Sequence, residues 1–139
     1  MNRIEMERTD GDYGFTVLDQ NQHSLQTDTS TESGGTNYGF RPMQLLLSGL
    51  GSCSAIDMIA ILKKQKQTIA EFKIVVEGHR EENKIPSLWK AIHVIFSLKG
   101  VDKDKAAKAA MLSMEKYCSV AETLRRGGTA ITWEIETTG

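Results

Sequence analysis

A chain of 139 residues, 40% hydrophobic and 25% charged, is one domain's worth of globular protein, long enough to bury a core without cross-links. Lys and Arg number 17 against 18 Asp and Glu, a net charge of -1 with no basic patch, which argues against nucleic acid or an anionic membrane surface as a partner. The start "MNRIEMERTDGD" is too polar for an export signal, and two cysteines are too few for a secreted disulfide framework. The expectation is a cytoplasmic protein whose thiols, if they pair, pair transiently.

In chain order, Ile4 and Met6 alternate with Arg3, Glu5 and Glu7. "YGFTVLD" and "HSLQT" follow after the turn-forming "TDGD" and "DQNQ". Three short strands result, a meander over 1–40 with too few apolar side chains to be stable alone, so it should borrow a hydrophobic surface from the rest of the chain or from a second subunit. The polar, Gly-rich "TSTESGGTNYGF" is a loop, and Pro42 opens a helix, where its missing N–H costs nothing. From Pro42 to about Gln65, Leu45, Leu46, Leu47, Leu50, Ile56, Met58, Ile59, Ile61 and Leu62 cover most of the circumference, as in a helix buried on several sides. Lys63, Lys64 and Lys66 complement the negative end of its dipole.

The second half, 70–139, starts with two strands, one carrying Phe72, Ile74 and Val76 and the other Leu88, Ile92, Val94, Phe96 and Leu98. The polar "REENKIPS" turns between them. Asp102 or Asp104 can cap a helix with Ala107, Ala110, Met111 and Met114 at helical spacing. A last turn of helix ends at "RRGG", and "TAITWEIE" closes the chain as a strand with Ile131, Trp133 and Ile135 inward. The order β-β-β-α-β-β-α-α-β defines an α+β fold in a single domain over 1–139.

Chemistry points to the cysteines. "SCSAID" and "KYCSVAE" each place Ser directly after the cysteine and an acid four residues after it. Ser119 to Glu122 fits a capping box, which puts Cys118 just outside the first turn of the last helix, where backbone N–H groups and the helix dipole favour a thiolate. Around Cys53 the same pattern falls inside the long helix; Asp57, four residues on, shares its face and would raise a thiol pKa unless a cation pairs with it. Asp57 therefore needs a partner, or points to solvent or another subunit. Each cysteine also has the plain reading of a buried small hydrophobe. His23, His79 and His93 stand at no metal-ligand spacing, so no metal is expected, and Trp89 and Trp133 read as core.

"RPMQLLLSGLGSCSAIDMIAILKK", followed some way on by "SMEKYCSVAETL", resembles the OsmC/Ohr superfamily of osmotically inducible and organic hydroperoxide resistance proteins. It looks closest to the OsmC-like branch that carries "GGCSAID" and "EKYCSVA". The resemblance implies an intertwined homodimer, with a long central helix over 42–65 packed on an antiparallel sheet and the N-terminal strands exchanged with the partner subunit. It implies Cys53 as peroxidatic and Cys118 as resolving cysteine. Organic hydroperoxides, and hydrogen peroxide less well, would be reduced through a Cys53 sulfenic acid and a Cys53–Cys118 disulfide, then a dithiol or small-molecule thiol would restore both. No metal, haem or flavin cofactor is implied. Where the family has a Glu that orients a thiolate-stabilising Arg, this chain has Gln44. Arg3, Arg8 and Arg41 are all open as that cation, with Arg41 preferred because it directly precedes the helix. The alternatives are a catalytically weak ligand-binding or stress-interaction protein on the same scaffold, motivated by Gln44, and a thiol-exchange redox module.

Overall fold

The computed structural model describes residues 1–139, which form two compact units, Met1–Leu46 and Leu47–Gly139. In the first, β1 (Ile4–Asp10), β2 (Gly14–Asp19) and β3 (Ser24–Thr27) form the expected antiparallel meander, in a register that aligns Met6, Val17 and Leu25. Its poverty of apolar side chains is real: β1 is exposed along almost its whole length, and the buried residues of this unit are Gly14, Thr27 and Asp28. Polar bonds organise it instead. The Asp28 carboxylate accepts from the N–H groups of Thr29 (2.8 Å), Thr36 (2.8 Å) and Tyr38 (3.1 Å), tying the loop after β3 into a closed turn. Those donors hold the Asp28 carboxyl below its ordinary range, the Thr36 and Tyr38 amides contributing most.

Helix α1 (Pro42–Lys64) begins at the proline and ends in Lys63 and Lys64 as the sequence anticipates. It is long and apolar enough to cross a membrane by length and composition. Only one stripe of it is buried, Leu50, Ser54, Met58 and Leu62 at spacings of four, with Gly51 beside them. The expectation of burial on several sides is thus corrected within the chain, since Leu46 and Ile56 are exposed. A Cβ on Gly51 would lie 3.2 Å from the Val76 methyl, so glycine lets the helix come down on the sheet.

The second unit holds every buried apolar side chain, from Leu50 to Ala121. Its sheet pairs β4 (Glu71–Arg80) antiparallel with β5 (Trp89–Lys99), and β5 parallel with β6 (Ala130–Thr138). The sheet is therefore mixed, not purely antiparallel. The physical reason is the connection: α2 (Lys103–Leu112) and α3 (Ser119–Arg126) form a crossover long enough to return the chain to the same end, which a parallel pair requires. Ile92, Val94, Phe96 and Leu98 face inward with Trp89, while Leu88 is exposed, because the register shifts between His79 and Arg80.

Asp102 caps α2, its side chain accepting from the Lys105 N–H (3.0 Å). Of the helically spaced Ala107, Ala110, Met111 and Met114, Ala110 and Met114 are buried while Ala107 and Met111 are exposed, and Ala106, Ala109 and Ser113 complete the buried face. In a helix of alanines and lysines the apolar pattern barely distinguishes adjacent faces. A π-helical turn, Ser113–Tyr117, then carries the chain to Cys118, whose N–H donates to the Ser113 carbonyl (2.7 Å).

Candidate functional site

Cys53 and Asp57 sit one turn apart on α1, on the face the spacing predicted. The helix runs through "GSCSAID" without a break. Ser54 is fully buried and satisfies its hydroxyl by donating to the Leu50 carbonyl (2.7 Å) and the Gly51 carbonyl (3.1 Å) of its own helix. Cys118 arrives from the other side of the unit, between the π-helical turn and α3. The Cys53 and Cys118 sulfurs and an Asp57 carboxylate oxygen lie within 4.8 Å of one another, and both thiols are free. Cys53 and Asp57 are half-buried, Cys118 only 4% exposed.

Ser113, a residue the sequence did not mark, joins the three. Fully buried, its hydroxyl lies 3.0 Å from the Ser54 carbonyl and 3.2 Å from Asp57 Oδ2, sharing one proton between two acceptors. This is the partner that Asp57 needs: a hydroxyl, not a cation. A serine continuing the alanine face of α2 into the turn was the only available signal.

The capping box expected over Ser119 and Glu122 is corrected. The cap is Cys118 itself, whose sulfur accepts from the Ala121 N–H (3.4 Å), while Glu122 turns away to Arg126 (2.9 Å). A cap with sulfur in place of oxygen is the long, weak version of the motif. Activation of Cys118 fails with it. Burial pushes this thiol up to about 11, the neighbouring Cys53 adds to the rise, and the Ala121 amide offsets only part of it. Desolvation outweighs the helix N-terminus. Beside Cys118 a surface hollow of about 360 Å³, lined by Lys116, Tyr117, Ser119, Glu122, Thr123 and Arg126, opens outward.

Arg41 and Gln44 belong to the first unit. Gln44 Oε1 accepts from the Arg41 backbone N–H (3.0 Å), closing the N-terminus of α1. The Arg41 guanidinium donates to the Gly39 carbonyl (2.9 Å) and to Asn37 Oδ1 (3.3 Å), so Gln44 holds the main chain of Arg41 and not its charge. Arg41, Gln44, Asn37, Tyr38, Phe40 and Gln26 line a cavity of about 540 Å³. The Arg3 guanidinium pairs with Glu5 (2.8 Å) on exposed β1. Of the histidines, His93 bonds Thr132 Oγ1 (2.7 Å) and His23 bonds Asp19 (2.8 Å), as side chains with ordinary partners do.

Two free cysteines brought together from a central helix and a helix cap, in an α+β unit with a mixed sheet, make this a dithiol site on the fold expected of the OsmC-like family. The chain belongs to that family, whose description, "OsmC-like protein", matches residues 34–134. It is 41% identical over 87 residues to Protein YhfA of Escherichia coli K12, a match covering 61% of this chain and 64% of that protein, less than two thirds of the curated relative's own length. A structure of a hypothetical protein from Aquifex aeolicus VF5 superposes with a TM-score of 0.81 at 28% identity, covering 100% of this chain and 98% of that one. The organic hydroperoxide resistance protein OhrB of Bacillus subtilis superposes with a TM-score of 0.69 at 16% identity over 98% of both chains, a likeness of fold.

Proposed function

We propose that the protein is a thiol-dependent peroxidase that reduces organic hydroperoxides. The observation that carries this reading is the approach of the Cys53 and Cys118 sulfurs to within 4.8 Å while both remain free thiols. Burial divides the labour as the family resemblance implies: half-buried Cys53 meets the oxidant, and Cys118, held up to about 11, waits to resolve. The Cys53 thiolate attacks one peroxide oxygen; an S–O bond forms, the O–O bond breaks, and the alkoxide takes a proton and leaves as alcohol. Cys118 then attacks the sulfenic sulfur; the S–S bond forms, the S–O bond breaks, and water leaves with the Cys118 proton. An external dithiol or small-molecule thiol returns two electrons by exchange, reaching the disulfide through the hollow beside Cys118. A reducing compartment such as the cytoplasm suits two thiols that must start each cycle unpaired.

The working form in this proposal is a homodimer. Support comes from apolar side chains that one chain leaves uncovered: Ile4 and Met6 on β1, and Leu46 and Ile56 on α1. A meander without a buried apolar side chain gains its core from the second subunit.

Stopped-flow reduction of cumene hydroperoxide, with mass spectrometry of the product, tests the proposal. Substoichiometric peroxide should yield one Cys53–Cys118 disulfide and one alcohol per peroxide consumed, and Cys53→Ser should abolish both. Peroxide consumption that leaves both thiols intact refutes it.

A further inference from the structure

We propose that Cys53, Asp57 and Cys118 also form a binding site for a thiophilic divalent cation, zinc in the first place. Nothing in the peroxidase chemistry calls for Asp57, yet the fold holds its carboxylate against both sulfurs. The three ligand atoms lie within 4.8 Å of one another. Around a tetrahedral zinc, with Zn–S bonds of about 2.3 Å and Zn–O bonds of about 2.0–2.2 Å, ligand atoms stand roughly 3.5–3.8 Å apart. Closing on an ion therefore asks the ligand atoms to draw together by about 1 Å.

Donor chemistry selects the ion. Two thiolates and one carboxylate suit zinc or cadmium, whereas magnesium and calcium take oxygen ligands and would find one. Three protein ligands leave a fourth position for water.

The surroundings are those of a metal-ligand set. Ser113, itself fully buried and fastened to the Ser54 carbonyl, donates to Asp57 Oδ2 and so fixes the carboxylate with its other oxygen free. The Ala121 N–H donates to the Cys118 sulfur itself, a long bond at 3.4 Å that orients the sulfur and leaves it lone pairs for an ion.

On binding, the two thiol protons pass to solvent and both sulfurs become ligands. Metal occupancy and disulfide formation are then mutually exclusive, a consequence that rests on the peroxidase reading above although the site itself does not. Zinc would hold the dithiol reduced and silent, and oxidation would expel the ion.

The test uses the reduced full-length protein, titrated with zinc against a chromophoric chelator and with cadmium by the ultraviolet thiolate-to-metal charge-transfer band. One ion per chain with a thiolate band is expected, lost in Cys53→Ser and weakened about 10–100-fold in Asp57→Asn. Should Asp57→Asn unfold, Ser113→Ala takes its place, with a loss of about 10-fold expected through the freed carboxylate. Absence of the thiolate band, or undiminished affinity in the Asp57→Asn protein, overturns the inference. Peroxide-driven disulfide formation without zinc binding sinks this inference alone; zinc binding without that disulfide sinks the peroxidase reading alone.

Discussion

Ser113→Ala separates a hydroxyl that builds the site from one that merely fills space. The hydroxyl is fully buried and shares its proton between the Ser54 carbonyl at 3.0 Å and Asp57 Oδ2 at 3.2 Å. A neutral hydrogen bond contributes about 0.5–1.5 kcal/mol and one to a charged group about 1.5–3 kcal/mol, the upper values applying when the abandoned acceptor stays dry. Neither acceptor here is stranded. The Ser54 carbonyl lies mid-helix and keeps its helical N–H donor, and Asp57 is half-buried, so water can reach its carboxylate. Alanine also preserves the local volume, leaving no appreciable cavity. The loss should therefore be about 1.5 kcal/mol, a fall in Tm of about 5 °C for a domain of this size, read by differential scanning calorimetry on the reduced protein. A Tm within about 1 °C of the parent would show that the hydroxyl holds nothing, and a fall beyond about 10 °C would show that both acceptors are sealed from water; either refutes the reasoning.

Other predictions address the two units separately. Because the Asp28 carboxyl titrates below its ordinary value, its contribution is complete above a pH of about 4 and is lost as pH falls through the lower folded value. Proteolysis of the 29–38 loop should accordingly be faster in Asp28→Asn than in the parent at neutral pH, with the difference vanishing in strong acid. Gly78→Ala would place a Cβ 2.6 Å from Trp89 Cζ3 and 3.1 Å from Leu47 Cδ2, and this overpacking should cost about 1–3 kcal/mol with a change in tryptophan emission. An unchanged midpoint in urea would show that the ring can yield. Ile56, 67% exposed on α1, is the side chain that the proposed dimer should cover, so Ile56→Glu should halve the mass measured by sedimentation equilibrium while leaving the far-ultraviolet spectrum intact. A parent that sediments as a monomer would refute the dimer directly.

Much of the fold was legible because it is local. Alternation set the strands, Pro42 started α1 at its first residue, and Asp102 capped α2, each through interactions within a few residues. Misreadings fell where local patterns compete. "CSVAE" satisfies the capping-box pattern, yet the π-helical turn over Ser113–Tyr117 delivers the chain one residue earlier and leaves Cys118 as the cap. In α2, alanines on adjacent faces left the buried side undecided until β6 was in place against it.

The amino-acid order by itself determined which elements form and that two thiols and two cysteine-following acids deserved chemical scrutiny, while Gln44 drew notice only through the family resemblance. Only the tertiary structure decided that β6 runs parallel to β5, that Ser113 is the partner of Asp57, and that two sulfurs far apart in the chain share one carboxylate. The reason is range. Periodicity and capping are energies between near neighbours, whereas the ionisation of Cys118 depends on desolvation and on Cys53, a neighbour distant in the chain.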